Sequence, residues 1–193
     1  MSSTETLQVP LVFDFDEMSE WLLSLPEEQL TLDALDTAMS RLGRNYEPAL
    51  VATMYWEREE FIRPHLPELV IGAWGSAEFP SSCLDPYVWE ELFSEAGFTV
   101  NGKPAHRPKE PVRVYRGAAP EHKIGWSWTP DREQAEWFRD RFNFDGSRKL
   151  YTMLAQPLDM LAILDGTTHR VGESEVVLDA FNDGPEWDIE EIS

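Results

Sequence analysis

The apolar residues of this chain change period partway along it, and that change limits the folds open to it. Up to about residue 97 they recur every three or four positions, whereas beyond residue 111 they alternate or sit in short runs. The first period fits a helix and the second a strand, and neither pattern holds in the other's geometry. The expected class is therefore α+β, with a helical N-terminal half packed on a small mixed sheet core.

Phe15, Met18, Trp21, Leu22 and Leu25 share a helix face, and Pro26 stops the run. Leu32, Leu35, Met39 and Leu42 make a second stripe between Thr31 and Gly43. A third helix is expected from Pro48 to about Ile62, with Pro64 and Pro67 punctuating the stretch after it. Asp85-Pro86 reads as an N-cap and a first-turn proline. The helix it opens runs through Val88, Trp89, Leu92, Phe93 and Ala96 to Gly97. These stripes are read as core-facing rather than ligand-binding. Phe98 to Pro111 is rich in Gly, Pro and charge and reads as a linker or surface loop. The boundary is placed inside it, giving a helical region 1–105 (lid or target recognition) and a functional core 106–193.

In that core Val112–Arg116 alternates like a strand ended by Gly117, and Gly125–Trp128 reads as a second. Thr129-Pro130-Asp131 supplies a cap, a proline and an acid at a helix start, with Ala135, Phe138 and Phe142 on one face. Leu150–Ala155 is a strand closed by Pro157, and Met160–Leu164 is a short apolar segment. Asp165–Gly172 is a polar, glycine-bounded loop, and Glu173–Leu178 is a strand. Trp187–Ile192 is one more strand or an acidic tail.

Composition narrows the function. The single cysteine, Cys83, has no internal disulfide partner, which fits a reducing cytoplasm. With His65, His106, His122 and His169 scattered, no zinc constellation is expected. Met1-Ser2-Ser3-Thr4-Glu5 has neither a basic nor an apolar stretch, so no secretory signal is expected, and no run is apolar enough to span a bilayer. The net charge of −20 argues against direct contact with nucleic acid or an anionic membrane. It suits a partner with a basic surface. Within this acidic chain, residues 106–149 hold ten basic and seven acidic residues, a local net of +3. That stretch is the candidate for holding a small anionic ligand.

Three short motifs come in order: Val114-Tyr115-Arg116-Gly117 at a strand end, Ser127-Trp128-Thr129 running into a helix, and Glu173-Ser174-Glu175 behind the glycine-bounded loop. Their order and settings resemble the arginine–serine–glutamate class of mono-ADP-ribosyltransferases, which includes many bacterial toxins and some phage proteins. The resemblance covers residues 112 to about 180. Two features differ: only 11 residues separate Arg116 from Ser127, and Trp128-Thr129 stand where the class usually has Thr and Ser. The resemblance implies a mixed β-sandwich core, NAD as co-substrate, and transfer of ADP-ribose to a protein acceptor in a toxin, effector or phage host-takeover role.

The implied roles have physical sense. Arg116 offers a guanidinium fork to a pyrophosphate, with Tyr115, Gly117, Ser127, Trp128 and Thr129 around the cofactor. Glu175 would stabilise the oxocarbenium-like sugar and bond its 2′-hydroxyl, with Ser127 orienting the carboxylate. Glu173, at the mouth of the loop, would serve as base toward the acceptor. Trp126, Trp128 and Tyr115 are candidates to stack on a ring, although core packing is the commoner use of such residues. Other readings remain open. The acidity could make the chain a DNA mimic or an inhibitor of a nucleic-acid-binding protein, with no catalysis. A relative of the class could also hydrolyse NAD or act on RNA ends. No Gly-x-Gly-x-x-Gly, Walker-type loop or Gly-x-Ser-x-Gly is present.

Overall fold

The computed structural model describes residues 9–11, 14–141, 143–168, 170–180 and 187–193. It is a mixed α+β structure whose chain divides into two compact units, residues 1–85 and 86–193. The division lies ahead of the Gly- and Pro-rich stretch, so the helix that begins at Pro86 goes with the sheets.

The first unit is helical. Helix α1 (Phe15–Ser24) is capped by Asp14, whose Oδ1 accepts from the amides of Asp16 and Glu17 at 3.0 and 3.1 Å. Helix α2 (Leu32–Leu42) begins at the Thr31 cap and ends at Gly43, where φ is +84°. The expected third helix is two pieces, α3 (Glu47–Glu57) and α4 (Glu59–Ile62), broken at Arg58. The Arg58 guanidinium donates to the carbonyls of Leu23 and Leu25, which ties the break to the end of α1. Helix α5 (Leu66–Ser76) has Pro67 in its first turn, where a proline opens a helix rather than punctuating a loop. Val70, Ile71, Ala73 and Trp74 are all buried in it, so its apolar face is too broad to read as a narrow stripe.

The second unit opens with α6 (Pro86–Ala96), which ends at Gly97 with φ +68°. Residues 98–111 are not simply a linker. Strands β1 (Thr99–Val100) and β2 (Lys103–Pro104) form a hairpin around Asn101-Gly102. Both turn residues have positive φ, +52° and +76°, the requirement of the tight turn that Asn-Gly favours. Strand β3 (Val112–Ala118) runs on through Gly117, β4 is Ser127–Trp128, and β5 is Lys149–Ala155. Between β4 and β5 lies helix α7 (Arg132–Arg141), capped by Asp131 rather than Thr129. The Asp131 carboxylate accepts from the amides of Glu133 and Gln134 at 2.9 and 3.3 Å. Ala135 is buried and Phe138 half-buried on its inner side, and Phe142 lies outside the described residues.

Strands β6 (Met160–Leu164), β7 (Glu175–Leu178) and β8 (Glu190–Ile192) complete two sheets. One has the order β2-β1-β6-β7-β4 and the other β3-β5-β8. The pairings are antiparallel except β1 with β6. Both sheets feed one core: Val114, Tyr151 and Met153 from one, Trp128, Met160, Val176 and Leu178 from the other. Each such large buried side chain contributes on the order of 1.5–3 kcal/mol by its removal from water.

Helix α7 lies directly against β3, and Gly117 permits it. A Cβ there would stand 2.8 Å from the Arg139 Cα and nearer still to the Ala135 carbonyl oxygen. Backbone cannot yield as a side-chain tip can. Gly117→Ala is therefore expected to lower stability by about 2–4 kcal/mol. Urea unfolding followed by tryptophan fluorescence checks this; a midpoint equal to wild type would contradict it.

Candidate functional site

The site is built where the two sheets meet. Tyr115 of β3 and Thr129, just beyond β4, form an isolated antiparallel bridge with both hydrogen bonds made, at 2.7 and 2.9 Å. This fixes β3 beside β4 although they belong to different sheets. One residue on, the Arg116 side chain reaches across. Its Nη1 donates to the Ser127 carbonyl and its Nε donates to the His122 carbonyl at 3.2 Å. Strand β4 pairs with β7, Ser127 opposite Val177 and Trp128 opposite Val176, so Glu175 enters the sheet on the Thr129 side.

Glu175 is 8% exposed at the start of a strand whose four residues are all buried. Burial pulls the Arg116 guanidinium down to about 10; Glu175 opposes that fall and Arg148 adds to it. Arg116 thus stays charged at neutral pH. Arg116 meets Ser127 through the Ser127 carbonyl, and Glu175 is near enough to act on its charge.

Two further residues shape this cluster. Gly125 lies flat against the guanidinium, and a Cβ there would meet Arg116 Nη2 at 2.6 Å and Cζ at 2.8 Å. Arg148, which directly precedes β5, donates from Nη2 to the Gly117 carbonyl at 2.8 Å. Its Nε is buried with no hydrogen-bond partner among the described residues. A buried donor left unmade costs about 1–3 kcal/mol. Arg148 thus acts against the charge of Arg116, while Glu175 acts in its favour.

The Glu173-Ser174-Glu175 segment is held from below. Ser174 N donates to Gln134 Oε1 at 2.9 Å, and Thr129 Oγ1 donates to the same oxygen at 3.3 Å. Thr129 Oγ1 in turn accepts from Asp131 N at 3.1 Å. Glu173 lies before the strand rather than in it, half-buried, with its amide donating to the Arg170 carbonyl at 2.8 Å. The loop that precedes it closes with Gly172 N on Gly166 O at 2.9 Å, and Asn101 of the hairpin turn accepts from Asp165 N at 3.0 Å. His169 in this loop lies outside the described residues.

The remaining expectations fall differently. Gly117 is occupied in seating α7. Trp128, expected near the cofactor, is 2% exposed, edge-on to Trp187, and donates from Nε1 to the Gly125 carbonyl at 2.8 Å. Trp126 is buried and stacks on Phe93. Both tryptophans are therefore core residues rather than ring-stacking contacts. Tyr115 contributes its backbone to the bridge and keeps a half-buried side chain. Ser127 meets Arg116 through its carbonyl, not its hydroxyl. Sequence reading missed Gly125, Gln134 and Arg148. A basic residue beside a strand that pairs with the Arg116 strand was a usable signal for Arg148; long-range tertiary contacts alone reveal the other two.

Among the described residues no group of three His, Cys, Asp or Glu is placed to hold a metal, and no helix is long and apolar enough to cross a membrane. A groove in the first unit is lined by Phe15, Asn45, Tyr46, Ala49, Phe79, Ser82 and Cys83, none of them a predicted site residue. Comparison with known protein families, characterised proteins and solved structures finds no match to this chain.

The Gly125 contact gives a direct test. A methyl group there would displace the tip of the Arg116 side chain while sparing backbone. Gly125→Ala is expected to change the unfolding midpoint by about 1 kcal/mol or less and to weaken pyrophosphate binding about tenfold or more. Calorimetric titration with pyrophosphate reads this; undiminished affinity would exclude Arg116 as the anion contact.

Proposed function

We propose that the second unit is an NAD-binding catalytic domain that transfers ADP-ribose to a protein acceptor. The observation that supports this most is the meeting of Arg116, Ser127 and Glu175 at the join of two sheets, in the chain order of the arginine–serine–glutamate class. Arg116 binds the diphosphate, and Arg148 adds a second guanidinium whose buried Nε has an open hydrogen bond to give.

In the reaction the bond between nicotinamide and ribose C1′ breaks, and nicotinamide leaves with the bonding pair. Positive charge then develops on the sugar. Glu175, kept from water, opposes that charge where a fixed carboxylate acts most strongly. The acceptor nucleophile forms the new bond to C1′ and gives its proton to Glu173, which stands ahead of the strand at the loop end. The strongly acidic first half suits an acceptor with a basic surface.

Labelled NAD incubated with the purified protein, with and without bacterial lysate, tests this. Wild type is expected to release nicotinamide and label a discrete lysate component. Glu175→Gln is expected to slow turnover by about 100-fold or more while its far-UV circular dichroism stays unchanged. Nicotinamide release equal with and without lysate, and no labelling, would replace transfer by hydrolysis. NAD neither bound nor consumed would remove the enzyme reading and favour the acidic inhibitor.

A further inference from the structure

Gln134 takes no part in the chemistry just described, yet it occupies a junction. Its Oε1 accepts two hydrogen bonds from segments 45 positions apart in the chain: Thr129 Oγ1 at 3.3 Å and Ser174 N at 2.9 Å. Thr129 is also the residue that bridges to Tyr115, next to Arg116. Ser174 is the residue between the two candidate carboxylates, Glu173 and Glu175. One side-chain oxygen on the first turn of α7 therefore connects the strand that presents the guanidinium to the segment that presents both carboxylates.

The alternatives for Ser174 are few. It precedes β7, whose ladder begins at Glu175 opposite Leu164. Its amide thus meets a side chain instead of a strand neighbour. Fixing that amide fixes the peptide plane joining Glu173 to Ser174, and with it the directions in which the flanking side chains leave the backbone. The hydroxyl of Thr129 can both accept and donate, and does so here: Asp131 N donates to it, and it donates to Gln134. The chain of bonds from Asp131 through Thr129 and Gln134 to Ser174 is complete with Gln134 Oε1 as a pure acceptor. Helix α7 supplies the rigid support, seated on β3 at Gly117 and capped by Asp131.

We infer that Gln134 is a positioning residue for the transferase site, holding the Glu173–Glu175 carboxylates in register with Arg116. The inference rests on the transferase reading above. Gln134 itself would touch neither NAD nor the acceptor. Its loss should therefore lower the rate of the chemical step more than the affinity for NAD, because misplacing a reacting group by about 1 Å can cost on the order of 100-fold.

Two variants and two readouts test this. Gln134→Met keeps length and removes the acceptor; Gln134→Glu keeps an acceptor at the same atom. For Gln134→Met, kcat is expected to fall about 10- to 100-fold with KM for NAD within about threefold. Gln134→Glu is expected to recover most of the lost kcat. In parallel, amide hydrogen exchange by NMR should show Ser174 protected in wild type and in Gln134→Glu, and unprotected in Gln134→Met, while the amides of β3 and β5 keep their protection in all three. Unchanged kcat in Gln134→Met, or Ser174 protection that survives it, overturns the inference. So does a fall in kcat that Gln134→Glu shares in full. If wild type neither binds nor consumes NAD, the transferase reading falls separately. The positioning role for transfer falls with it, and the exchange data then decide only whether Gln134 anchors the Ser174 amide: selective loss of protection in Gln134→Met upholds that anchor, and equal protection overturns it.

Discussion

A charged guanidinium taken largely out of water is the constraint around which the second unit is arranged. Arg116 belongs to the β3-β5-β8 sheet, yet its hydrogen bonds go to the Ser127 carbonyl of the other sheet and to the His122 carbonyl of the intervening turn. Burial of an unpaired charge is costly enough to unfold a marginal domain, so the charge has to be answered. Two carbonyl dipoles and the Glu175 carboxylate answer it in part, while burial and the nearby Arg148 pull the guanidinium the other way. The identities of the neighbouring residues reflect this. Gly125 is a glycine because the guanidinium lies on it, and Gly117 is one because α7 must reach β3. The Tyr115–Thr129 bridge keeps the two sheets close enough for the reach to be made.

Under the proposed reading the arrangement would receive a visiting anion. Arg148 places a second positive charge close to the first instead of relieving it, and its buried Nε has no partner among the described residues. A site meant only for stability would more simply be filled by apolar side chains of similar volume. Under the proposed reading, guanidinium charge retained beside a carboxylate at the start of a buried strand would serve both to bind a diphosphate and to stabilise a cationic sugar.

Much of the second unit was legible because its signals are local. Alternation in Val112–Arg116, the apolar run Leu150–Ala155 and the Val-Val-Leu of β7 each fall on strands. The capped, stripe-bearing helices α1, α2 and α6 were legible for the same reason. What escaped was non-local or hidden by composition. Helix α5 has a broad apolar face that masks its period, and two prolines near its start read as breaks. The β1–β2 hairpin lay within a stretch dominated by Gly, Pro and charge, although Asn101-Gly102 is itself a hairpin signal. Motif order singled out Arg116 and Glu175 as candidates, and both fall in the second unit's sheets. That Trp128 is core, that Ser127 acts through its carbonyl, and that Gln134 joins Thr129 to Ser174 depend on which strands become neighbours, which no short window of sequence records.

The proposed chemistry requires that NAD occupy the junction of Arg116, Ser127 and Glu175. The most direct measurement is an NMR titration of the labelled protein with NAD, mapping which backbone amides shift. Saturable shifts concentrated at residues 115–117, 125–129, 148 and 173–176 are the predicted result. No shifts at millimolar NAD, or shifts confined to the groove lined by Tyr46, Phe79 and Cys83 of the first unit, would contradict it.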